Sequence, residues 1–166
     1  ANRLIGIENE GYTLMKDTLN QGRLGISAVA AGIAQRALEL AITFSGSRKY
    51  YGRKLSSNQG IGFPIAEMYA HISALKNTLY HTASLCENKK PYSVEVSALK
   101  ILANEVCSQA CQQAQEIHGA YGLSKDSEIE RCLRDSYMMT TAEGTTQACK
   151  IAVASALSNQ PLEQYF

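Results

Sequence analysis

The chain has 166 residues, and its 16 Lys and Arg against 15 Asp and Glu give a formal net charge of +1. It is long enough to bury the core of one domain. With only 19% charged residues, nothing points to a nucleic-acid partner. Polar residues interrupt every apolar run before about 18 residues, so the sequence predicts no membrane span. Residues 1–20 also lack the layout of a signal peptide.

Apolar spacing predicts an all-α fold, an up-and-down four-helix bundle with additional short C-terminal helices. Residues 1–10 are predicted to be an extended lead-in, residues 11–158 the bundle domain, and residues 159–166 a C-terminal tail. The first long helix is predicted from Arg23 to about Phe44. Its residues between Ala28 and Ala34 are small and apolar on all sides, which is typical of a helix packed closely between neighbours.

The second helix has the most regular apolar pattern in the chain, with alternating steps of four and three residues. We interpret these positions as core and not as an oligomerisation zipper: Ile61, Ile65, Met68, Ile72, Leu75 and Leu79. Because proline is tolerated in the first turn of a helix, Pro64 requires the helix to begin close to it. His71 and His81 on this helix are predicted to lie at the surface or to be hydrogen-bonded.

A third helix follows the turn at residues 88–91, with Ser93 as its predicted N-cap. Its inward residues are predicted to be Leu99, Leu102, Val106, Ala110 and Ile117. Its outward residues are predicted to be Lys100, Asn104, Gln109, Gln112 and Gln113. Gly119 and Gly122 end this helix, a short helix begins near Ser127, and a final helix runs from about Thr145 to Leu157.

The five cysteines lie within helical patterns. Cys107 and Cys111 share a helix face and His118 lies further along the same helix, which raises the question of a metal site. Structural zinc usually takes four ligands, and no second pair is visible. We therefore predict no metal site and buried free thiols, which indicate a reducing compartment.

Glu143 is a lone carboxylate between apolar helical runs, followed by Gly144 and Thr145. One interpretation is an N-terminal helix residue stabilised by the helix dipole. The other is a general base, because a carboxylate in a poorly solvated place holds its proton more readily. The residues alone leave both interpretations open.

Seven short segments, taken in order over residues 11–157, resemble the C-terminal domain of the acyl-CoA dehydrogenase family. They are the segments 19–23, 32–38 and 47–55, Gln59 with 66–68, then 118–122, Arg134 with Asp135, and 143–145. No segment is specific alone, but their shared order over most of the chain is.

The resemblance implies that FAD is the cofactor and an acyl-CoA thioester the substrate. Glu143 would remove the α-proton while the β-hydrogen leaves as hydride to the flavin. It further implies a homodimer or homotetramer, electron transfer to an electron-transferring flavoprotein, and a cytoplasmic location, or the mitochondrial matrix in a eukaryote. Residues 1–10 would then be the exit from a β domain, and the isolated chain would fold without turning over substrate.

The resemblance also assigns site residues by position. Asn20, Arg23 and Gly144 would contact the substrate, with Glu143 as the catalytic residue. The implied flavin contacts are Arg48, Tyr51, Gln59, Glu116, Gly119, Ala120, Thr145 and Gln147. Gly122 would also let the backbone approach the dinucleotide. Arg134 and Asp135 are interpreted as structural.

Three positions depart from the family pattern. Glu116 stands where a Gln is usual, Ala120 replaces the second glycine of a pair, and Ala142 replaces an aromatic residue before the base. Two other hypotheses therefore stay open. One is a flavin-dependent monooxygenase or a tailoring enzyme acting on carrier-protein thioesters, and the other is a non-catalytic helical interaction module.

Overall fold

The computed structural model describes residues 4–159 and contains five α-helices joined by short connections. They are α1 (Gly11–Ser47), α2 (Gln59–Glu87), α3 (Ser93–His118), α4 (Glu128–Met138) and α5 (Thr146–Ser158). Helix α3 packs against each of the other four. The predicted all-α bundle with short C-terminal helices is confirmed. Residues 1–3 of the predicted lead-in and 160–166 of the predicted tail lie outside the described residues.

The core forms mainly between α1 and α3, where small side chains let the two helices approach closely. On α1, Ala34, Ala37 and Ala41 are fully buried. On α3, Leu99 and Cys107 are fully buried in the same cluster. By length and composition, α1 has a stretch apolar enough to cross a membrane, but core helices pass the same test. Its buried residues face the bundle, so we assign it to the core.

Helix α1 begins at Gly11, so the predicted start at Arg23 is wrong. Glycine disfavours a helix interior, yet the glycines at positions 22 and 25 both lie inside a continuous helix of 37 residues. Packing against the bundle overrides this local preference.

Helix α2 confirms the predicted core pattern, since Met68, Ile72 and Leu75 are buried. It begins at Gln59 and is capped by Asn58, whose Oδ1 accepts a hydrogen bond of 2.9 Å from the Gly60 N–H. Pro64 therefore lies in the second turn, slightly deeper than predicted. His71 and His81 are exposed, as expected for surface histidines.

The connection between α1 and α2 contains a small hairpin, β1 (Lys49–Tyr50) and β2 (Arg53–Lys54). Its two turn residues both have positive φ, 47° at Tyr51 and 76° at Gly52. This geometry is that of a two-residue turn, in which a bulky first residue is unusual. The turn leaves the Tyr51 side chain 89% exposed at the hairpin tip.

One predicted helix cap differs from the structure, since Ser93 is the first residue of α3 and its N-cap is Tyr92. The short helix predicted near Ser127 is confirmed, with Ser127 as the N-cap residue of α4 but without a side-chain cap bond. Helix α4 is instead held to α1 by a two-bond ion pair, in which Arg36 donates to Glu128 at 3.0 and 2.7 Å. Because α4 leads directly into the segment that contains Glu143, this pair helps to fix the direction of that segment.

Candidate active site

Glu143 lies in a loop, residues 139–145, that connects α4 to α5. Its φ is 56° and that of Gly144 is 93°, so two consecutive residues adopt the left-handed conformation. The loop closes where the Thr146 N–H donates to the Thr140 carbonyl at 3.1 Å. Helix α5 then starts under the Thr145 hydroxyl, which accepts a hydrogen bond of 3.2 Å from the Ala148 N–H. Glu143 is therefore a loop residue and not part of a helix.

The side chain of Glu143 crosses to α1 and lies against Gly22. A Cβ atom at position 22 would overlap the Glu143 carboxylate and approach its Cγ to 3.1 Å. Only glycine leaves this space, because every other residue carries a Cβ atom. The contact joins positions far apart in the sequence and defines where the carboxylate rests on the bundle.

Arg23 follows directly and is tied to three partners. Its Nη1 donates to Asn20 Oδ1 at 3.4 Å and to Ser97 Oγ at 3.2 Å, and its Nε donates to the Glu143 carbonyl at 3.4 Å. Asn20 is buried, and Ser97 is fixed in turn by its bond to the Ser93 carbonyl at 2.8 Å. The structure thus brings the predicted substrate residues Asn20 and Arg23 together with Glu143.

Lys100 is buried beneath the same loop, so the prediction that it faces outward is wrong. Its Nζ donates to the Met139 carbonyl at 2.6 Å and to the Gly144 carbonyl at 3.0 Å. Burial lowers the pKa of the Lys100 ammonium group, while Cys149 raises it and the charge of Arg23 lowers it further. Among the described residues, no carboxylate forms an ion pair with Lys100.

Apart from the Glu143 loop, the structure contains a cleft of about 760 Å³ between the end of α1 and the end of α3. It brings together four of the predicted flavin contacts: Arg48, Glu116, Gly119 and Ala120. The ring of Phe44 stacks on that of His118 at 4.3 Å between centroids and lies parallel to that of Tyr121 at 6.1 Å. The cleft therefore combines a cation, aromatic faces and, at Gly119 with φ of 60°, an open stretch of backbone.

The other predicted flavin residues do not line this cleft. Tyr51 and Gln59 are exposed on the hairpin tip and at the start of α2. Thr145 and Gln147 are exposed beside Glu143, at the start of α5. These four residues form no closed pocket within the described chain, but all of them are open to a partner.

The five cysteines are free, as predicted; four of them are buried, but Cys86 is only half-buried. The described residues contain no cluster able to hold a metal. Arg134 pairs with Glu130 at 3.1 Å, in line with a structural role. Glu143, however, is exposed and not poorly solvated, because its loop lies on the outer face of residues 4–159.

Sequence reasoning missed three residues of this site. Gly22 was noted within a motif but not as the contact of Glu143. Ser97 carried no signal, since a serine within a helix is usually unremarkable. Lys100 carried a weak one, because it lies four residues after Val96 and three residues before Ala103, which is the spacing of one apolar helix face.

Comparison with known proteins identifies the family. A family model described as "Acyl-CoA dehydrogenase, C-terminal domain" matches residues 9–158. The chain is 39% identical over 153 residues to the caffeyl-CoA reductase-Etf complex subunit CarC of Acetobacterium woodii, covering 92% of this chain and 40% of that protein. It is 35% identical over 157 residues to the probable acyl-CoA dehydrogenase YngJ of Bacillus subtilis, covering 95% and 41%.

Comparison with solved structures gives the same family as the sequence comparison. The structure of butyryl-CoA dehydrogenase from Megasphaera elsdenii superposes with a TM-score of 0.90 at 33% identity, over 92% of this chain and 40% of that one. The chain thus spans about 40% of the length of these relatives. With the family model matched over residues 9–158, the chain belongs to the acyl-CoA dehydrogenase family and corresponds to its C-terminal domain.

Proposed function

We propose that residues 11–158 are the C-terminal helical domain of an FAD-dependent acyl-CoA dehydrogenase subunit, with Glu143 as the base that removes the α-proton of a CoA thioester. The observation that carries this proposal is the position of the Glu143 carboxylate against Gly22 of α1, in a loop whose Glu143 carbonyl accepts a hydrogen bond from Arg23. A base must be held within reach of the proton it takes. Its open face is where a thioester would bind, and the remainder of the subunit would shield it from water.

The residues around Glu143 have different proposed roles. Glu143 accepts the α-proton, and in the reverse direction it returns that proton. Arg23 is anchored by Asn20 and Ser97, so its positive charge stays beside the loop, and its Nε donates to the Glu143 carbonyl. Gly144 would lie against the substrate, as its lack of a side chain leaves the backbone open there.

The cleft between α1 and α3 fits part of FAD. Arg48 would pair with the pyrophosphate, because a guanidinium binds phosphate oxygens with two parallel bonds. The exposed Tyr51 and Gln59 would contact the flavin of a neighbouring subunit, which is our reason to propose a homodimer or homotetramer. Thr145 and Gln147, also exposed, would contact the adenosine side of the flavin. When bound, FAD supplies the hydride acceptor. An electron-transferring flavoprotein would be the partner, and the free thiols suit a cytoplasmic or mitochondrial-matrix location.

Glu116 places a carboxylate on the rim of the proposed flavin cleft. The charge of this group would repel the pyrophosphate, and removing such a repulsion near a protein surface gains roughly 1 kcal/mol or less. We expect Glu116→Gln to bind FAD about two- to fivefold more tightly, measured by fluorescence titration of the deflavinated full-length subunit. Glu105→Gln, an exposed change elsewhere on α3, serves as control. An unchanged or weaker affinity in Glu116→Gln would remove Glu116 from the flavin site.

The isolated chain is expected to fold but not to turn over substrate. Its bundle has a continuous buried core, whereas its base is exposed and its flavin residues lie on open surfaces. We expect cooperative unfolding by circular dichroism and no detectable dehydrogenation of any acyl-CoA. Turnover by this chain alone would show that no other domain is needed.

The proposed function is tested by anaerobic titration of the full-length subunit with a panel of acyl-CoA thioesters, following loss of the oxidised flavin absorbance. Bleaching by saturated thioesters supports a dehydrogenase. A bound flavin that no acyl-CoA bleaches would favour a carrier-protein substrate or monooxygenase chemistry. Absence of flavin would favour a non-catalytic interaction module.

A second candidate is the same chemistry run as a reductase. The observation that favours it is the 39% identity to a protein named as a caffeyl-CoA reductase subunit. The base Glu143 serves both directions, because the group that removes the α-proton must return it in reverse. Reoxidation of the reduced flavin by 2,3-unsaturated thioesters, faster than its reduction by the saturated ones, would establish this direction.

A further inference from the structure

Lys100 is the one buried lysine of the described chain, with 2% of its surface exposed. Burying an ammonium group is costly unless its donors are satisfied. The Lys100 amine donates to two backbone carbonyls, those of Met139 and Gly144, which lie 39 and 44 residues after Lys100 in the sequence. A leucine or methionine of similar size would avoid this cost but would leave both carbonyls without these donors.

The two carbonyls stand at opposite ends of the segment that contains Glu143. Met139 begins the loop after α4, and Gly144 directly follows Glu143. Left-handed φ angles at non-glycine residues persist only where the surroundings enforce them. Glu143, with φ of 56°, is such a residue. Its own carbonyl receives only the long bond of 3.4 Å from Arg23, so the shorter bonds from Lys100 hold the loop on both sides.

A simple helix cap does not account for this arrangement. A cation at the C-terminus of α4 would donate to the Met139 carbonyl and interact favourably with the negative end of the helix dipole. The bond of 3.0 Å to the Gly144 carbonyl is not part of α4 and adds nothing to that role. One amine thus couples the end of α4 to the residue that follows the base.

We propose that Lys100 is a positioning residue that fixes Glu143 for proton abstraction by joining the Met139 and Gly144 carbonyls across its loop. This inference rests on the proposed function of Glu143. Lys100 itself touches neither the Glu143 carboxylate nor a reacting atom. Its effect is on the geometry of the base, and the test must therefore separate geometry from folding.

The test compares Lys100→Met with Lys76→Met in the full-length, flavin-loaded subunit. Lys76 is a half-buried lysine of α2 that donates to Gln35 at 2.8 Å, remote in sequence from the loop and outside the site. The probe is the thioester that bleaches the wild-type flavin fastest, prepared with hydrogen or deuterium at its α-carbon. We expect Lys100→Met to bleach about 10- to 100-fold more slowly at saturation, with KM within about threefold. Its α-deuterium isotope effect should rise, because α-proton removal becomes more fully rate-limiting.

Amide hydrogen exchange gives a second readout that does not depend on turnover. In the substrate-free subunit, Lys100→Met should exchange faster in the peptide covering residues 139–147, and Lys76→Met should not. A bleaching rate and isotope effect unchanged in Lys100→Met would overturn the inference, as would unchanged exchange in this peptide. No bleaching of the wild-type flavin by any thioester would instead overturn the proposed function.

If the Lys100→Met variant fails to retain flavin, the Lys100→Arg variant tests the inference in its place. The planar guanidinium keeps the charge but directs its donors differently. We expect the Arg variant to retain flavin and to bleach at least about fivefold more slowly than wild type. An Arg variant with the wild-type rate and isotope effect would show that the position of the donors does not matter, and would overturn the inference.

Discussion

Glu143→Gln is expected to lower the rate of flavin bleaching by acyl-CoA about 10²- to 10⁴-fold in the full-length subunit, the usual contribution of a positioned base. The amide has the shape of the carboxylate and keeps its place against Gly22. It cannot accept a proton, so the α-carbon keeps its hydrogen and no hydride can leave. Stopped-flow absorbance at saturating thioester measures the effect directly.

The control for this prediction is Glu105→Gln. Glu105 is an exposed carboxylate on α3 that forms no ion pair within the described chain. The flavin of the Glu105→Gln variant should bleach at the wild-type rate. Because Glu143 is exposed as well, its Gln variant should unfold at about the wild-type temperature. Retention of more than about a tenth of the wild-type rate in Glu143→Gln would mean that another group is the base.

Gly22→Ala is expected to separate stability from activity. Alanine in a helix interior is about 0.5–1 kcal/mol more favourable than glycine, so the domain should not lose stability. The new methyl group, however, would occupy the place of the Glu143 carboxylate. The carboxylate is the end of a flexible side chain and would move away. A shift of about 1 Å at a reacting group costs up to about 100-fold in rate. We therefore expect the Gly22→Ala variant to bleach about 10- to 100-fold more slowly, with an unchanged or higher unfolding temperature.

Gly32→Ala is the matched control, since Gly32 lies on the same helix and a Cβ atom there would meet nothing within 4 Å. It should gain similar stability and keep the wild-type rate. The double variant with Glu143→Gln adds a second check. Once the base is gone, Gly22→Ala should slow bleaching no further, because the two residues act through one group. Additive losses would show that Gly22 acts on some other part of the site.

Much of the fold was predictable from local pattern. The apolar positions of α2 recur with helical spacing, and the structure buries Met68, Ile72 and Leu75 as that spacing requires. The start of α1 was not predictable in the same way. It begins at a glycine without a side-chain cap, and residues 11–18 are exposed in the described chain, so neither a capping residue nor a buried face marks where the helix starts.

The sequence by itself determined the helical architecture, the free thiols and the family, because these depend on residue spacing and on short segments in a fixed order. Only the tertiary structure decided how the site is assembled. Gly22 receives the Glu143 carboxylate from the far end of the chain. Lys100 has the charge of a surface residue, yet it is buried because two carbonyls of a distant loop accept its hydrogen bonds. The physical reason is that a buried polar group is stable only with its partners, and these partners are set by packing and not by neighbouring sequence.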